Sequence, residues 1–486
     1  MKNKIFISFL VLFACISAFS QQMTINFNYG AFATHTGETY IETYLSIPQN
    51  TLKNVSIGDN IYNSSTKVMM IFKKNDTIAE FLKYELLGIP TADTGKINNH
   101  IIDQQRIFLD NGIYDIEISV VDKFDTTNKI SGTVRAEINI PKGVMSSSTI
   151  CFIDSYTKTI TKNILTRGNY DLVPYISNFF PQSKNVLTYY HEVYNVDKVV
   201  GKEVSHVNVV SQMEDYENSG HVITKTIKSK RVKVMPVIRL LENIDITSLG
   251  TGNYWLEIIL KDDTGKELMS TRKFFQRHGL IDEYDINELS DVVVNNSFTN
   301  KYSNIDTLRD IILSMYPKAT YSERSFINHV KKNTDVDVMQ KFLLRFWSDR
   351  DVFEPEKAFN AYIEEVKKVN TMYGNSIRKG YDTDRGRVYL QYGAPNHVER
   401  NVFSPGTKPY EIWQYYELAG QRDKRFVFAS NDPATKDYEL IHSNMLGEIN
   451  DPKWQYRLYN APTQDNSEEY QEMWGAPLQR AFDNPF

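Results

Sequence analysis

The stretch Leu109-Asp110-Asn111-Gly112-Ile113-Tyr114-Asp115-Ile116-Glu117-Ile118-Ser119-Val120-Val121-Asp122 returns 140 residues later as Leu249-Gly250-Thr251-Gly252-Asn253-Tyr254-Trp255-Leu256-Glu257-Ile258-Ile259-Leu260-Lys261-Asp262, with eight of fourteen positions matching in kind. Each copy opens on a glycine-bearing turn, where Gly112 and Gly252 permit positive φ, and continues as alternating apolar and polar residues. That period of two is the mark of a strand with one buried face, and it puts Tyr114, Ile116, Ile118 and Val120 toward a core. Asp122-Lys123 and Asp262-Asp263-Thr264-Gly265 supply the next turn. A second matching pair lies upstream in the same order: Tyr40-Ile41-Glu42-Thr43-Tyr44 aligns with Tyr190-His191-Glu192-Val193-Tyr194, offset by 150. Two signals repeated in order imply a tandem duplication. The chain is therefore read as multidomain and β-rich, with residues 22–143 and 150–277 each forming an antiparallel β-sandwich of about seven strands, immunoglobulin- or fibronectin-like in architecture. Small polar residues from Lys142 to Thr149 form the expected linker.

Outside the repeat the period changes. Ile305, Leu308, Ile311, Ile312 and Met315 recur at helical spacing until Tyr316-Pro317 stops them, and Ser322 is the expected cap of a following helix. Val338, Phe342, Leu343, Phe346 and Trp347 mark another apolar face, and Phe359, Tyr362, Ile363, Val366 and Val369 mark a third beyond Pro355. About three helices are expected over 283–373, followed by a small α+β domain over 374–462 and a tail over 463–486.

Length and composition bound the rest. A chain of 486 residues exceeds one core, and 55 Lys+Arg against 60 Asp+Glu leave a net charge of −5, which disfavours nucleic acid as a partner. Lys2 and Lys4, then an apolar run from Ile5 to Phe19, then Ala18-Phe19-Ser20, have the three-part form of a secretory signal peptide over 1–20, cleaved after Ser20. The alternative of acylation at Cys15 meets a bulky Phe13 in the preceding box. The mature chain is expected to be exported to the periplasm without a transmembrane helix, with peripheral association at the outer membrane left open. Removal of the signal leaves Cys151 as one thiol, read as buried filler.

The densest motif is Gly380-Tyr381-Asp382-Thr383-Asp384-Arg385-Gly386-Arg387, followed by Tyr389-Leu390-Gln391-Tyr392-Gly393-Ala394-Pro395 and then Glu411-Ile412-Trp413-Gln414-Tyr415. Together with Phe346-Trp347 and Arg350-Asp351 upstream, it resembles the GWxTD domain of exported bacterial proteins, over about 340–460. Tyr381 stands where the signature has Trp. The resemblance implies no established activity. The same residues, with Phe403 and a Phe426-Val427-Phe428 strand, are more faintly similar over 383–429 to the outer-membrane assembly lipoprotein family SmpA or OmlA, which implies support of a β-barrel assembly machinery. Physically, Thr383 can cap a short helix with Asp384 in its first turn. Arg385 and Arg387 are placed to serve Asp382 and Asp384, and Gly393 with Pro395 makes a turn. Glu411 to Tyr415 alternates as a strand that pairs with Arg425 to Ala429 across a loop at 419–423.

No chemistry announces itself. Nine histidines are scattered, with no HExxH, paired cysteines, P-loop, GxGxxG or GxSxG, so neither a metal nor a cofactor is expected. The candidates for a structural or partner-binding role are Tyr381, Thr383, Asp384, Arg385, Arg387, Tyr392, Gly393, Pro395, Glu411, Trp413 and Tyr415, with His397 as the nearest histidine and no catalytic residue assigned. The expectation is a non-enzymatic, exported envelope scaffold that binds other envelope proteins, as an accessory subunit of an outer-membrane assembly or secretion complex. A carbohydrate- or peptidoglycan-binding protein using Tyr254 and Trp255 is the alternative, and an enzyme of unknown type the third reading.

Overall fold

The computed structural model describes residues 23–458, apart from 93–98, 201–203, 217–221, 224–225, 280–283, 285–288, 331–333, 403–406, 433–436 and 452, together with Phe482. The expected signal peptide over 1–20 with its Cys15, Phe403 and the tail other than Phe482 lie outside the described residues. By contacts the chain forms two compact units. One holds residues up to Ser148 plus 154–177; the other holds 149–153 and everything from Asn178 onward.

The first unit contains β1 (Asn26–Ala33), β2 (Thr39–Pro48), β3 (Ser65–Lys74), β4 (Thr77–Leu87), β5 (His100–Phe108), β6 (Gly112–Asp122) and β7 (Lys129–Ile138). They form two antiparallel sheets, ordered β1-β2-β5 and β4-β3-β6-β7. Alternation does what the sequence pattern requires: Tyr114, Ile116, Ile118 and Val120 are buried together with Ile41, Leu45, Val68, Met70 and Phe72. Each such side chain removed from water contributes on the order of 1.5–3 kcal/mol. Ser146–Ser147 is a short strand and Ser146 and Ser148 are buried, so the expected linker is packed and not a free tether.

The second unit begins with the same architecture. Its strands are β8 (Val186–Tyr194), β9 (His206–Asp215), β10 (Lys228–Lys233), β11 (Val237–Asp245), β12 (Gly252–Lys261) and β13 (Glu267–Arg277). Cys151–Ile153 and β11 flank β8, and the facing sheet runs β10-β9-β12-β13 with Phe179–Phe180 added in parallel on β13. Cys151 is buried. The basic residues of β10 lie on an exposed edge strand, where lysines deter edge-to-edge pairing, and Lys228 and Lys230 both reach Glu242, at 2.8 and 2.6 Å.

The duplication extends to individual hydrogen bonds. Tyr114 donates its phenol proton to the Asp110 carbonyl (2.9 Å), and Tyr254 donates to the Gly250 carbonyl (3.1 Å), each reaching four residues back. In the facing sheet Glu42 lies opposite Arg106, and Glu192 lies opposite Arg239. Both glutamates are buried, and each accepts from the tyrosine two residues on: Tyr44 at 2.9 Å and Tyr194 at 2.7 Å. Arg106 closes the first knot at 2.7 Å and Arg239 the second at 3.4 Å. A buried carboxylate is tolerable only when so satisfied. In the first unit Arg167, from the 154–177 segment, also pairs with Glu42 and donates to the Tyr40 hydroxyl at 2.6 Å. The glycines are not equivalent: Gly112 has φ +155°, whereas Gly252 does not take a positive φ, contrary to the expectation of left-handed freedom at both.

Four helices follow: α1 (Ile305–Ser314), α2 (Tyr321–Val330), α3 (Val336–Arg350) and α4 (Pro355–Tyr373). Asn304 caps α1 by accepting from the Asp306 and Thr307 amides. The cap of α2 is Thr320 and not Ser322: the Glu323 amide approaches Thr320 Oγ1 at 3.4 Å while the Thr320 amide donates to Glu323 Oε2 at 2.7 Å, a reciprocal capping box. The predicted stripes meet in one core of Leu308, Ile312, Phe326, Phe342, Phe346, Trp347, Phe359 and Val369. Phe326 and Phe342 stack at 4.2 Å within it.

The chain ends in α5 (Asp384–Tyr392), an antiparallel sheet ordered β14 (His397–Asn401), β15 (Tyr410–Leu418), β16 (Gln421–Asp432) and β17 (Asp437–Ser443), and a short α6 (Trp454–Arg457). The β15–β16 turn is tighter than expected. Ala419 (φ +48°) and Gly420 (φ +73°) both take left-handed conformations, whose twist matches the strands, so pairing continues to Leu418 opposite Gln421. Both faces of this sheet are covered. Trp413, Tyr415, Phe426 and Phe428 share a core with Val388 of α5 and with Tyr216 and Phe274 of the second sandwich. Ile412, Val427 and Ile441 pack on the opposite side with Trp454, Leu458 and Phe482.

Candidate functional site

The signature begins with two backbones pressed together. A Cβ on Gly380 would lie 2.1 Å from the Val369 carbonyl of α4, and one on Gly386 would lie 1.8 Å from the Gly380 carbonyl. No side chain fits either place, so glycine here is a requirement of contact and not of dihedral angle. Thr383 then starts α5: extended at φ −91°, it donates its hydroxyl to the Gly380 carbonyl (2.7 Å) and accepts from the Gly386 amide (3.1 Å). Asp384, in the first turn, accepts from the Leu440 amide of β17 at 2.7 Å. Tyr381 donates its phenol proton to Asp310 of α1 at 2.6 Å, and its backbone amide donates to Asn370 Oδ1 in α4 at 3.2 Å. Burial and the Asp310 carboxylate push the Tyr381 hydroxyl well above its ordinary range. Gly380, Tyr381, Thr383 and Asp384 thus join α1, α4, α5 and β17.

The charged residues find partners other than those read from sequence. The ion pairs of Arg385 and Arg387 go to neither Asp382 nor Asp384, although the Asp384 charge still acts on Arg387. Arg385 donates to Glu411 of β15 at 3.0 Å and lies over the rings of Tyr373 (5.1 Å) and Tyr438 (4.1 Å). Glu411 also accepts from Trp413 Nε1 at 2.9 Å and pairs with Arg400 at 3.2 Å. Arg387 forms a bidentate pair with Glu448, 2.8 Å to each oxygen, and Tyr392 donates to the same carboxylate at 2.8 Å. Burial first, then Glu448, pushes the Tyr392 hydroxyl up. Asp382 pairs with Arg378 at 3.5 Å. Glu448 escaped the sequence reading because no local pattern links it to a motif 61 residues away; only the fold brings them together.

Gly393 ends α5 at φ +89°, and its carbonyl accepts from the Tyr415 hydroxyl at 2.9 Å. Pro395 follows on the half-buried turn into β14, where His397 lies opposite Gln414. Trp413 is fully buried against Tyr373 and Phe428. Every aromatic and charged candidate between Tyr381 and Tyr415 is therefore packed into the joint between helices and sheet. The side chains named for sugar binding are packed too. Tyr254 stacks on Phe275 at 5.5 Å inside the second sandwich, and Trp255 clusters with Tyr216 and Phe274 against the C-terminal sheet. The Tyr216 hydroxyl donates to the Leu446 carbonyl at 3.1 Å across that contact. Among the described residues no group of three or more His, Cys, Asp or Glu is placed to hold a metal, and no helix is long and apolar enough to cross a membrane.

Tandem sandwiches followed by a helix-and-sheet region locked at a Gly-Tyr-Asp-Thr-Asp joint define a β-rich, multidomain chain. The GWxTD domain family model matches residues 281–456, so the chain carries a GWxTD domain that takes in the helical segment as well as the sheet, beyond the 340–460 marked by the motif. No curated protein matches the sequence. Among solved structures, the fibronectin(III)-like modules of Clostridium thermocellum CbhA are 12% identical, with 49% of this chain and 86% of that one covered and a TM-score of 0.14. Dimeric latent PorU from Porphyromonas gingivalis is 13% identical, with 54% and 20% covered and a TM-score of 0.20.

Proposed function

We propose that this chain is a non-enzymatic, exported scaffold of the cell envelope that binds other envelope proteins, as an accessory subunit of an outer-membrane assembly or secretion complex. The observation that carries the reading is the internal use of the signature. Tyr381, Thr383, Asp384, Arg385 and Arg387 each bind another part of the same unit, which suits a motif that builds a firm body more than one that turns over a substrate. The aromatic contact of Tyr216, Trp255 and Phe274 extends that body into the second sandwich. The secretory form of residues 1–20 supplies the export step.

The test uses the full chain in its native cells, with fractionation followed by site-specific photo-crosslinking from exposed positions of the GWxTD domain. The expected result is an envelope fraction and discrete crosslinks to defined envelope proteins. A cytoplasmic location, or hydrolytic turnover by the purified chain with no crosslinked partner, overturns the proposal.

A further inference from the structure

An open groove of about 460 Å³ runs beside the 3-10 turn Tyr316–Lys318, the C-terminal end of α3 and the middle of α4. Its volume falls in the range of small-ligand sites, roughly 300–1,000 Å³. Trp347, Ala358, Ala361 and Tyr362 form its apolar wall. The two alanines are three apart on α4, on one helix face, and their small size makes the concavity.

The charges lining the groove do not cancel. Arg350 is matched by Glu323 in a bidentate pair at 2.9 and 2.7 Å and also donates to the Phe346 and Lys318 carbonyls. Glu365 is taken by Lys368 at 2.6 Å. Lys318 has only a neutral acceptor, the Gln391 carbonyl at 3.0 Å, and no ion pair among the described residues. Burial, and next the Arg350 charge, lower its pKa, and a bound anion would relieve both. Trp347 adds an unmet donor: the residue is 5% exposed and its indole N–H has no hydrogen-bond partner among the described residues.

We infer that this groove binds a carboxylate carried on an apolar body, as the C-terminal residue of a peptide presents it, with Lys318 taking the carboxylate and Trp347, Ala358, Ala361 and Tyr362 enclosing the apolar part. The inference goes beyond the scaffold reading and does not rest on it.

Calorimetric titration of the purified full-length mature chain tests it with three probes: N-acetyl-Ala-Ala-Phe, the same peptide as its C-terminal amide, and 3-phenylpropionate. Saturable binding of the free acid is expected, with the amide weaker by about tenfold or more, the worth of one charge-assisted hydrogen bond. Lys318→Met should weaken the acid by about tenfold and leave the amide unchanged, a split that simple loss of fold would not give. Ala361→Met, which fills the groove, should abolish both. A peptide preference over 3-phenylpropionate assigns a chain terminus as the source; equal binding assigns a free organic acid with the same chemistry. Equal affinity for acid and amide, unchanged acid binding by folded Lys318→Met, or no binding of any probe at millimolar concentration overturns the assignment.

Discussion

The two sandwiches share strand order, a tyrosine that reaches four residues back and a buried Glu–Arg–Tyr knot, yet they differ at one facing pair. In the first, Asp115 lies opposite Arg135 and the two form an exposed ion pair at 2.9 Å. In the second, the positions 140 residues on from Asp115 and facing it hold Trp255 opposite Phe274, packed with Tyr216 against the GWxTD sheet. The sandwich of each module is specified by what is common. Attachment to a neighbour is specified by exchanging charge for aromatic area on one outer face.

The largest expected effect comes from erasing that exchange. Trp255→Asp with Phe274→Arg installs the first sandwich's pair in the second and should cost about 4 kcal/mol, by loss of two large side chains and burial of charge against the sheet. All five tryptophans follow residue 178, so denaturant unfolding followed by tryptophan fluorescence reads the second unit alone. Next, Gly386→Ala should cost about 3 kcal/mol or more, because the Gly380 carbonyl occupies the methyl's place. The fluorescence transition should move, and far-UV circular dichroism should retain a separate, unshifted transition for the first unit.

Third is a pH effect confined to one module. The core position filled by Ile41 in the first sandwich is His191 in the second, and both are fully buried. Burial depresses the His191 pKa to about 4, against which a backbone hydrogen bond with Thr149 works only partly. Because the unfolded chain titrates near 6.5, it binds more protons than the folded one between those values. Stability of the second unit is therefore full above about pH 6.5 and falls by up to about 1.4 kcal/mol per pH unit down to about pH 4. Denaturation midpoints at pH 7 and pH 5 should differ for the wild type and differ less in His191→Ile, the remaining dependence belonging to His442 of β17, which burial also depresses to about 4. Fourth, Thr383→Ala removes a helix cap and should lower the second unit's stability by about 1 kcal/mol in the same fluorescence-detected denaturant unfolding. Least, Asp115→Ala should change the first unit by under about 1 kcal/mol, since its pair is solvated, and a larger loss in its circular dichroism transition would mean that this face is also occupied.

The duplication was legible because strand alternation, turn glycine and the Tyr-x-Glu-x-Tyr segment are local patterns, and the helices were legible because their apolar spacing is local too. What the residues did not reveal were choices made across the fold. Arg385 and Arg387 have acidic neighbours in sequence, but helix geometry carries those carboxylates to Leu440 and Arg378, while β15 and the 445–448 loop deliver Glu411 and Glu448. Thr320 outcompeted Ser322 as a cap because only Thr320 has a glutamate three residues on to return the bond. The aromatic residues of the motif looked equally suited to a surface or a core, since period two does not say which faces of a sheet are covered. Here both are.

The underside of that sheet depends on a residue from far along the chain. Phe482 lies 5.0 Å from the His442 ring and 5.6 Å from Trp454, with the Arg425 guanidinium 5.6 Å above it. A protein shortened before this position would keep the sheet and α6 yet present the Trp454 and His442 rings to water. Trimming by a protease would then turn a well-behaved module into an adhesive one, and Phe482 serves as its stopper.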